Sequence, residues 1–109
     1  MEKTFITSDY SYPTICIPKI NSNIKKRDIL NVFKKFDFGL INNIDIICIN
    51  GFYKAFIHLK WNLRETSKKA RKLLLENNNF KIIYNEQTGF YWKCQASISK
   101  KNLPKINQP

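Results

Sequence analysis

Cysteine and histidine are the side chains best suited to chemistry in this sequence, and there are four of them: Cys16, Cys48, Cys94 and His58. A cysteine nucleophile needs a base within hydrogen-bond reach and a third group to orient that base. Cys16 and His58 are the one Cys–His pair that strand alternation puts on a common face, and no orienting partner can be identified for either. Zinc needs paired cysteine or histidine ligands at short spacing, and the chain has no CxxC pair and a single histidine. Neither a paired-carboxylate site nor a GxxxxGK[ST] phosphate loop is present. The expectation is a protein that is not an enzyme and uses no cofactor and no metal. The cysteines are odd in number, far apart and set in apolar runs. They read as free, buried thiols of a reducing compartment, which points to an intracellular protein.

Cations and aromatics remain as the functional material. Nineteen Lys and Arg face eight Asp and Glu, a net charge of +11 on 109 residues, and aromatics make up 14%. So strong a positive field on one small domain suits a polyanionic partner. Lysine, asparagine and isoleucine are all over-used, as in proteins from AT-rich genomes, so base composition contributes part of the charge. Met1-Glu2-Lys3-Thr4 opens no long apolar run, and neither a signal peptide nor a membrane partner is expected.

The elements that must position these groups follow from periodicity. Residues 1–12 are polar and turn-rich and read as an N-terminal arm. Thr14-Ile15-Cys16-Ile17-Pro18-Lys19-Ile20 is a β-branched strand in which Pro18 marks an end or an unpaired edge. Asn21-Ser22-Asn23 offers helix caps, and Ile29, Val32, Phe33 and Phe36 then follow the stripe of a buried helical face. Asp37-Phe38-Gly39 suits a helix stop. Residues 40–49 form a second strand and 52–60 a third, joined by Asn50-Gly51, a pair that tolerates the positive φ of a tight primed turn. Thr66 or Ser67 is expected to cap a second helix reaching about Asn77, with Ala70, Leu73 and Leu74 inward. Extended segments over 80–84 and 90–98 close a domain spanning 13–99, and residues 100–109 read as a flexible basic tail. This order predicts an α+β, ferredoxin-like βαββαβ sandwich, a four-stranded antiparallel sheet with both helices on one face.

The pattern resembles an RNA recognition motif over 13–99. Asp28-Ile29-Leu30-Asn31-Val32-Phe33-Lys34-Lys35-Phe36 is similar to the family's first helix, and Gly39, Ile41, Ile44 and Ile46 match the positions leading into its second strand. The family's longer strand motif aligns with Phe52-Tyr53-Lys54-Ala55-Phe56-Ile57-His58-Leu59. Ala55, Phe56 and Ile57 match, while Lys54 replaces an aromatic and the leading basic residue and glycine are gone. In the shorter motif, Ile15-Cys16-Ile17-Pro18-Lys19-Ile20, Cys16 stands where a stacking aromatic is expected. Phe56 is thus the one stacking position of three that is kept. The closing segments, Lys81-Ile82-Ile83-Tyr84-Asn85-Glu86 and Phe90-Tyr91-Trp92-Lys93, resemble the end of divergent motifs of this type encoded by large DNA viruses. That resemblance implies a viral component acting in host cytoplasm, a virus factory or a virion.

In this register the open sheet face presents Cys16, Pro18, Asp45, Ile47, Ile49, Lys54, Phe56, His58, Lys93 and Gln95. Two functions fit it. A small module for RNA or other single-stranded nucleic acid, with weak sequence preference, would stack a base on Phe56. It would meet phosphates with Lys54, Lys60 and Lys93, donate a hydrogen bond from His58 and turn Tyr91 outward. A structural or adaptor domain would instead dock a protein partner on Ile47, Ile49 and Phe56. Trp92 is expected to point inward, and Trp61 to cap the helix layer. The helix cations Lys25, Lys26, Arg27, Lys34, Lys35, Lys68, Lys69, Arg71 and Lys72 lie on the far side. There they form a solvated face or a second, sequence-blind phosphate surface.

Overall fold

Alternation within the strands becomes a single sheet in the computed structural model, which describes residues 10–97. The elements run β1 (Thr14–Ile20), α1 (Lys26–Phe36), β2 (Gly39–Ile49), β3 (Phe52–Trp61), α2 (Glu65–Asn77), β4 (Phe80–Asn85) and β5 (Phe90–Ser97). The sheet order is β2-β3-β1-β5-β4, with every neighbouring pair antiparallel. The architecture is α+β and compatible with a ferredoxin-like fold, with five strands where four were expected. The extra strand arises because β4 and β5 form a hairpin of their own, which adds β4 outside β5. Pro18 does not end β1, which is the central strand, but it does stand in an unpaired stretch, because the pairing with β5 stops at Cys16. The register of β1 against β3 shifts between Ile17 and Ile20, an irregularity that accommodates a residue with no N–H to give.

One face of the sheet and one stripe of each helix make the core. Ile15, Ile17, Ala55, Ile57, Leu59, Ile82, Trp92 and Cys94 from the strands meet Ile29, Phe33, Ala70 and Leu74 from the helices. Phe38, between α1 and β2, holds the aromatic centre of this core. Its ring centroid lies 5.7 Å from those of Phe36, Trp61 and Phe80 and 6.3 Å from that of Phe33. Phe36 itself is exposed on one side and lies over Phe38, so the expected α1 stripe is buried only as far as Phe33. In α2 the inward positions are Ser67, Ala70 and Leu74, while Leu73 faces solvent.

Both helices start without the expected side-chain caps. Lys25 precedes α1 and its N–H donates to Asp28 Oδ2 at 2.8 Å, so the carboxylate of the first turn does the work assigned to Asn21, Ser22 or Asn23. Arg64 precedes α2, and its N–H is received by Asn62 Oδ1 at 3.0 Å. Ser67 lies inside α2, fully buried, and donates to the Asp37 carbonyl at 3.4 Å. Asn62 Nδ2 reaches the same carbonyl at 2.8 Å, which ties the end of α1 to the start of α2. Asp37, in the left-handed region at φ 50°, ends α1.

Gly39 therefore has a different task from helix termination. A Cβ there would fall 2.0 Å from the Lys60 carbonyl oxygen, where β2 crosses closest to β3. At the other end of the pair, Asn50 and Gly51 take φ 52° and 83°, the tight turn expected of that dipeptide. Gly39→Ala should destabilise the domain by roughly 2–4 kcal/mol, because the obstruction is backbone and cannot swing aside. Urea unfolding of the two proteins measures it, and a loss under about 1 kcal/mol would show that β2 can shift to accept the methyl group.

Candidate nucleic-acid interface

Residues paired directly across an antiparallel sheet share a face, so the register maps the open surface row by row. One row runs Asp45–Phe56–Cys16–Gln95 across β2, β3, β1 and β5. On one side of it lies a row set by Ile47 opposite Lys54 and by Lys93 opposite Lys81, with Pro18 of β1 between the two pairs. On the other side lies a polar row, Asn43 opposite His58 and Thr14 opposite Ser97. A further row, near the tips of the hairpins, holds Ile49 opposite Phe52 and Tyr91 opposite Ile83.

The structure thus places Phe56, Lys54, Lys93 and Tyr91 within neighbouring rows. Phe56 and Lys54 are half-buried, and Lys93 and Tyr91 are exposed. Lys60 shares the open face but sits four residues beyond Phe56, about 13 Å along the strand and away from the other cations. His58 is engaged within the protein. Its Nε2–H donates to Asp45 Oδ2 at 2.9 Å, and its Nδ1 lies 3.4 Å from the Thr14 hydroxyl. With the carboxylate accepting at Nε2, the Thr14 hydroxyl meets the other ring nitrogen, and which of the two donates depends on the tautomer. The donor role expected of His58 toward a ligand is therefore occupied, and the residue instead pins β2 to β3 and β1. Ile47 and Ile49 sit on the β2 edge, with Phe52 opposite Ile49 and diagonal to Ile47 and Phe56 diagonal to Ile47 alone, so Phe52 is the aromatic that completes this apolar edge.

Cys16 lies at the centre of the face, opposite both Phe56 and Gln95. Burial raises its thiol pKa, and the positive charge of Lys54 opposes that rise without cancelling it. The thiol is kept protonated, which is the wrong form for a nucleophile. On the core side, burial pushes the Cys94 thiol up to about 12, with Cys16 adding to the shift. All three cysteines are free, and Cys16 and Cys94 are buried as expected, whereas Cys48 on the outer strand β2 is exposed. Among the described residues no group of three metal-ligating side chains occurs, and no helix is long and apolar enough to cross a membrane.

Several contributors were absent from the sequence reading. Lys81 joins Lys93 in the cationic row, and its Nζ lies 4.6 Å from the Tyr91 ring centroid. Lys19 places its Nζ 5.2 Å from the ring centroid of Phe52. The alternation of Lys81 and Ile83 against Phe80 and Ile82 carried the first signal. Nothing local carried the second, which depends on the shift in register after Ile17. The helix cations lie across the core from this surface. Arg71 of α2 is turned toward the chain entering β1, its Nε donating to the Tyr12 carbonyl at 2.8 Å and its guanidinium resting over the Tyr10 ring.

Comparison of the chain with protein-family models, with curated proteins and with solved structures finds no match.

The Cys94 environment gives a pH dependence with a definite sign. In the unfolded chain a thiol ionises near ~8.5, whereas the folded thiol holds its proton to about 12. Between those values the folded state binds more protons, so the stability this group contributes is whole below the lower value and is lost as pH rises. The stability difference between the wild type and Cys94→Ala should therefore narrow between pH ~8 and ~10, measured by urea unfolding of both proteins. A difference that stays constant over that range would mean that the thiol ionises alike in both states.

Proposed function

We propose that this protein is a small single-stranded nucleic-acid-binding module, with RNA as the preferred ligand, that uses the open face of its sheet. The observation that carries the reading is the row containing Lys54, Lys93 and Lys81, which crosses the sheet beside Phe56. A phosphate backbone laid along that row meets cations drawn from three strands, while a base can stack on Phe56. Asp45 is the acidic residue of the central row, and its hydrogen bond to His58 draws its charge toward the polar row. The net charge of +11 adds long-range attraction, and two helices backing an antiparallel sheet agree with the resemblance to RNA recognition motifs. Weak sequence preference follows from a surface that offers one stacking ring and several point charges but few groups to read base edges.

Fluorescence anisotropy of a labelled single-stranded RNA at several salt concentrations tests this. Three phosphate contacts give a slope of about −2 in log K against log salt. Phe56→Ala should weaken binding by about tenfold, within the range for loss of one stacked base, and Lys54→Glu should weaken it further. An affinity that neither substitution changes, or absence of binding at low salt, would remove the sheet face from the reading.

A second reading rests on Ile47 and Ile49, 39% and 43% exposed on the β2 edge, with Phe52 beside them. An apolar group of this kind on an edge strand suits docking of a protein partner. If it does so, a co-purifying partner should be lost with Ile47→Lys while nucleic-acid binding persists. A strictly monomeric protein that recovers no partner would count against it.

A further inference from the structure

β1 and β5 pair at Thr14, Ile15 and Cys16 and then part. Beyond Cys16, β1 continues alongside β3, while β5 continues alongside β4. The sheet is therefore notched at the end where β1 finishes and the two hairpins separate. The notch is a concavity of about 430 Å³. Phe52 and Tyr53 of β3 line one side, Tyr91 and Trp92 of β5 with Tyr84 of β4 the other, and Lys19 the end of β1. Two features of this lining point to a ligand. Phe52 and Tyr91 are 54% and 49% exposed, although each belongs to a residue class that folding normally covers. Each also has a lysine ammonium near its ring, Lys19 at 5.2 Å and Lys81 at 4.6 Å. Half-exposed rings, each with a lysine ammonium over it, bring together aromatic surface for a nucleobase and positive charge for the phosphate attached to it.

From this geometry we infer that the notch holds a base of the bound single strand, so that the strand leaves the lysine row and ends between the two hairpins. The inference rests on the proposed function and extends it. Phe56 lies in the central row; across the lysine row from it, Phe52 lies four residues from Phe56 along β3 and Tyr91 four residues from Gln95 along β5. A strand crossing the sheet at Lys54 and Lys93 thus has a stacking surface on each side of it. The notch also supplies what Lys54 and Cys16 remove from the central strands. Its rings come from the hairpin tips, so stacking moves toward the sheet margin without being abandoned. Trp92 and Tyr84, stacked at 4.5 Å between centroids, form a firm wall and need not move to admit a base.

The test uses the full chain and two synthetic oligouridylates, one of about three nucleotides and one of about eight, with uridine monophosphate as a third ligand. Amide chemical-shift mapping with the longer strand should move Lys19, Ser22, Gly51, Phe52 and Tyr91 together with Lys54 and Phe56. Tyr91→Ala and Phe52→Leu should each weaken binding of the longer strand by about tenfold, and should affect the shorter strand less. Both side chains are half exposed, so a retained amide spectrum shows that the variants fold. If the longer strand binds and loses affinity with Phe56→Ala, but not with Tyr91→Ala or Phe52→Leu, the notch is excluded while the sheet-face function stands. If no strand binds, both fall together. Uridine monophosphate binding as tightly as the longer strand would show a nucleotide pocket independent of the sheet, which also overturns the inference.

Discussion

The fold hangs on β1. This strand receives the β2–β3 hairpin along one side and the β4–β5 hairpin along the other, and it is the one strand that belongs to both pairings. Ile15 and Ile17 are fully buried beneath it, and each contributes about 1.5–3 kcal/mol relative to an exposed side chain. Its grip on the two sides is unequal. Pairing with β3 extends through Ile20, whereas pairing with β5 ends at Cys16. Pro18, with no N–H, stands where the second pairing has already stopped. The sheet is therefore continuous near the start of β1 and divided near its end, and this asymmetry decides where a ligand finds a flat platform and where it finds a notch.

The entry to β1 is correspondingly firm. The Trp61 indole donates to the Pro13 carbonyl at 3.0 Å, and the Trp61 backbone N–H donates to the Tyr10 carbonyl at 2.7 Å. Residues 10–12, expected to belong to an arm, are thereby sewn to the end of β3 and to Arg71. Residues 1–9 of that arm and the tail over 100–109 lie outside the described residues. Trp61 does more than cap the helix layer, since it joins the aromatic group around Phe38 to the chain leading into the central strand.

Much of this was legible from the sequence because alternation encodes the face on which a side chain lies. Nine of the ten residues assigned to the open surface share it in the pairing register, in which Pro18 has no partner, Trp92 points inward, and Asn50-Gly51 makes the turn expected of it. Alternation does not encode which strand is whose neighbour. For that reason periodicity predicts four strands where the closing hairpin makes a fifth, and it does not place Lys81 beside Lys93. Pro18 is the local sign of the early parting of β1 and β5, but it does not say which residues meet there, so the sequence does not assemble Phe52, Tyr84 and Lys19 into one site. Helix starts were misread for a related reason: Asp28 and Asn62 serve the helix ends from positions other than the cap itself. Gly39 read as punctuation because a close approach of two backbones is a tertiary fact.

Thr14 stands opposite Ser97 in the register, so the start of β1 and the end of β5 lie side by side. That margin is the far end of β1 from the notch, about 20 Å away along a seven-residue strand. A short linker between these two strand ends would let the chain be reopened at Asn50-Gly51 with the strand order unchanged. They also give the domain a polarity. One margin of the sheet holds the start of β1 and the end of β5, and the opposite one holds the notch.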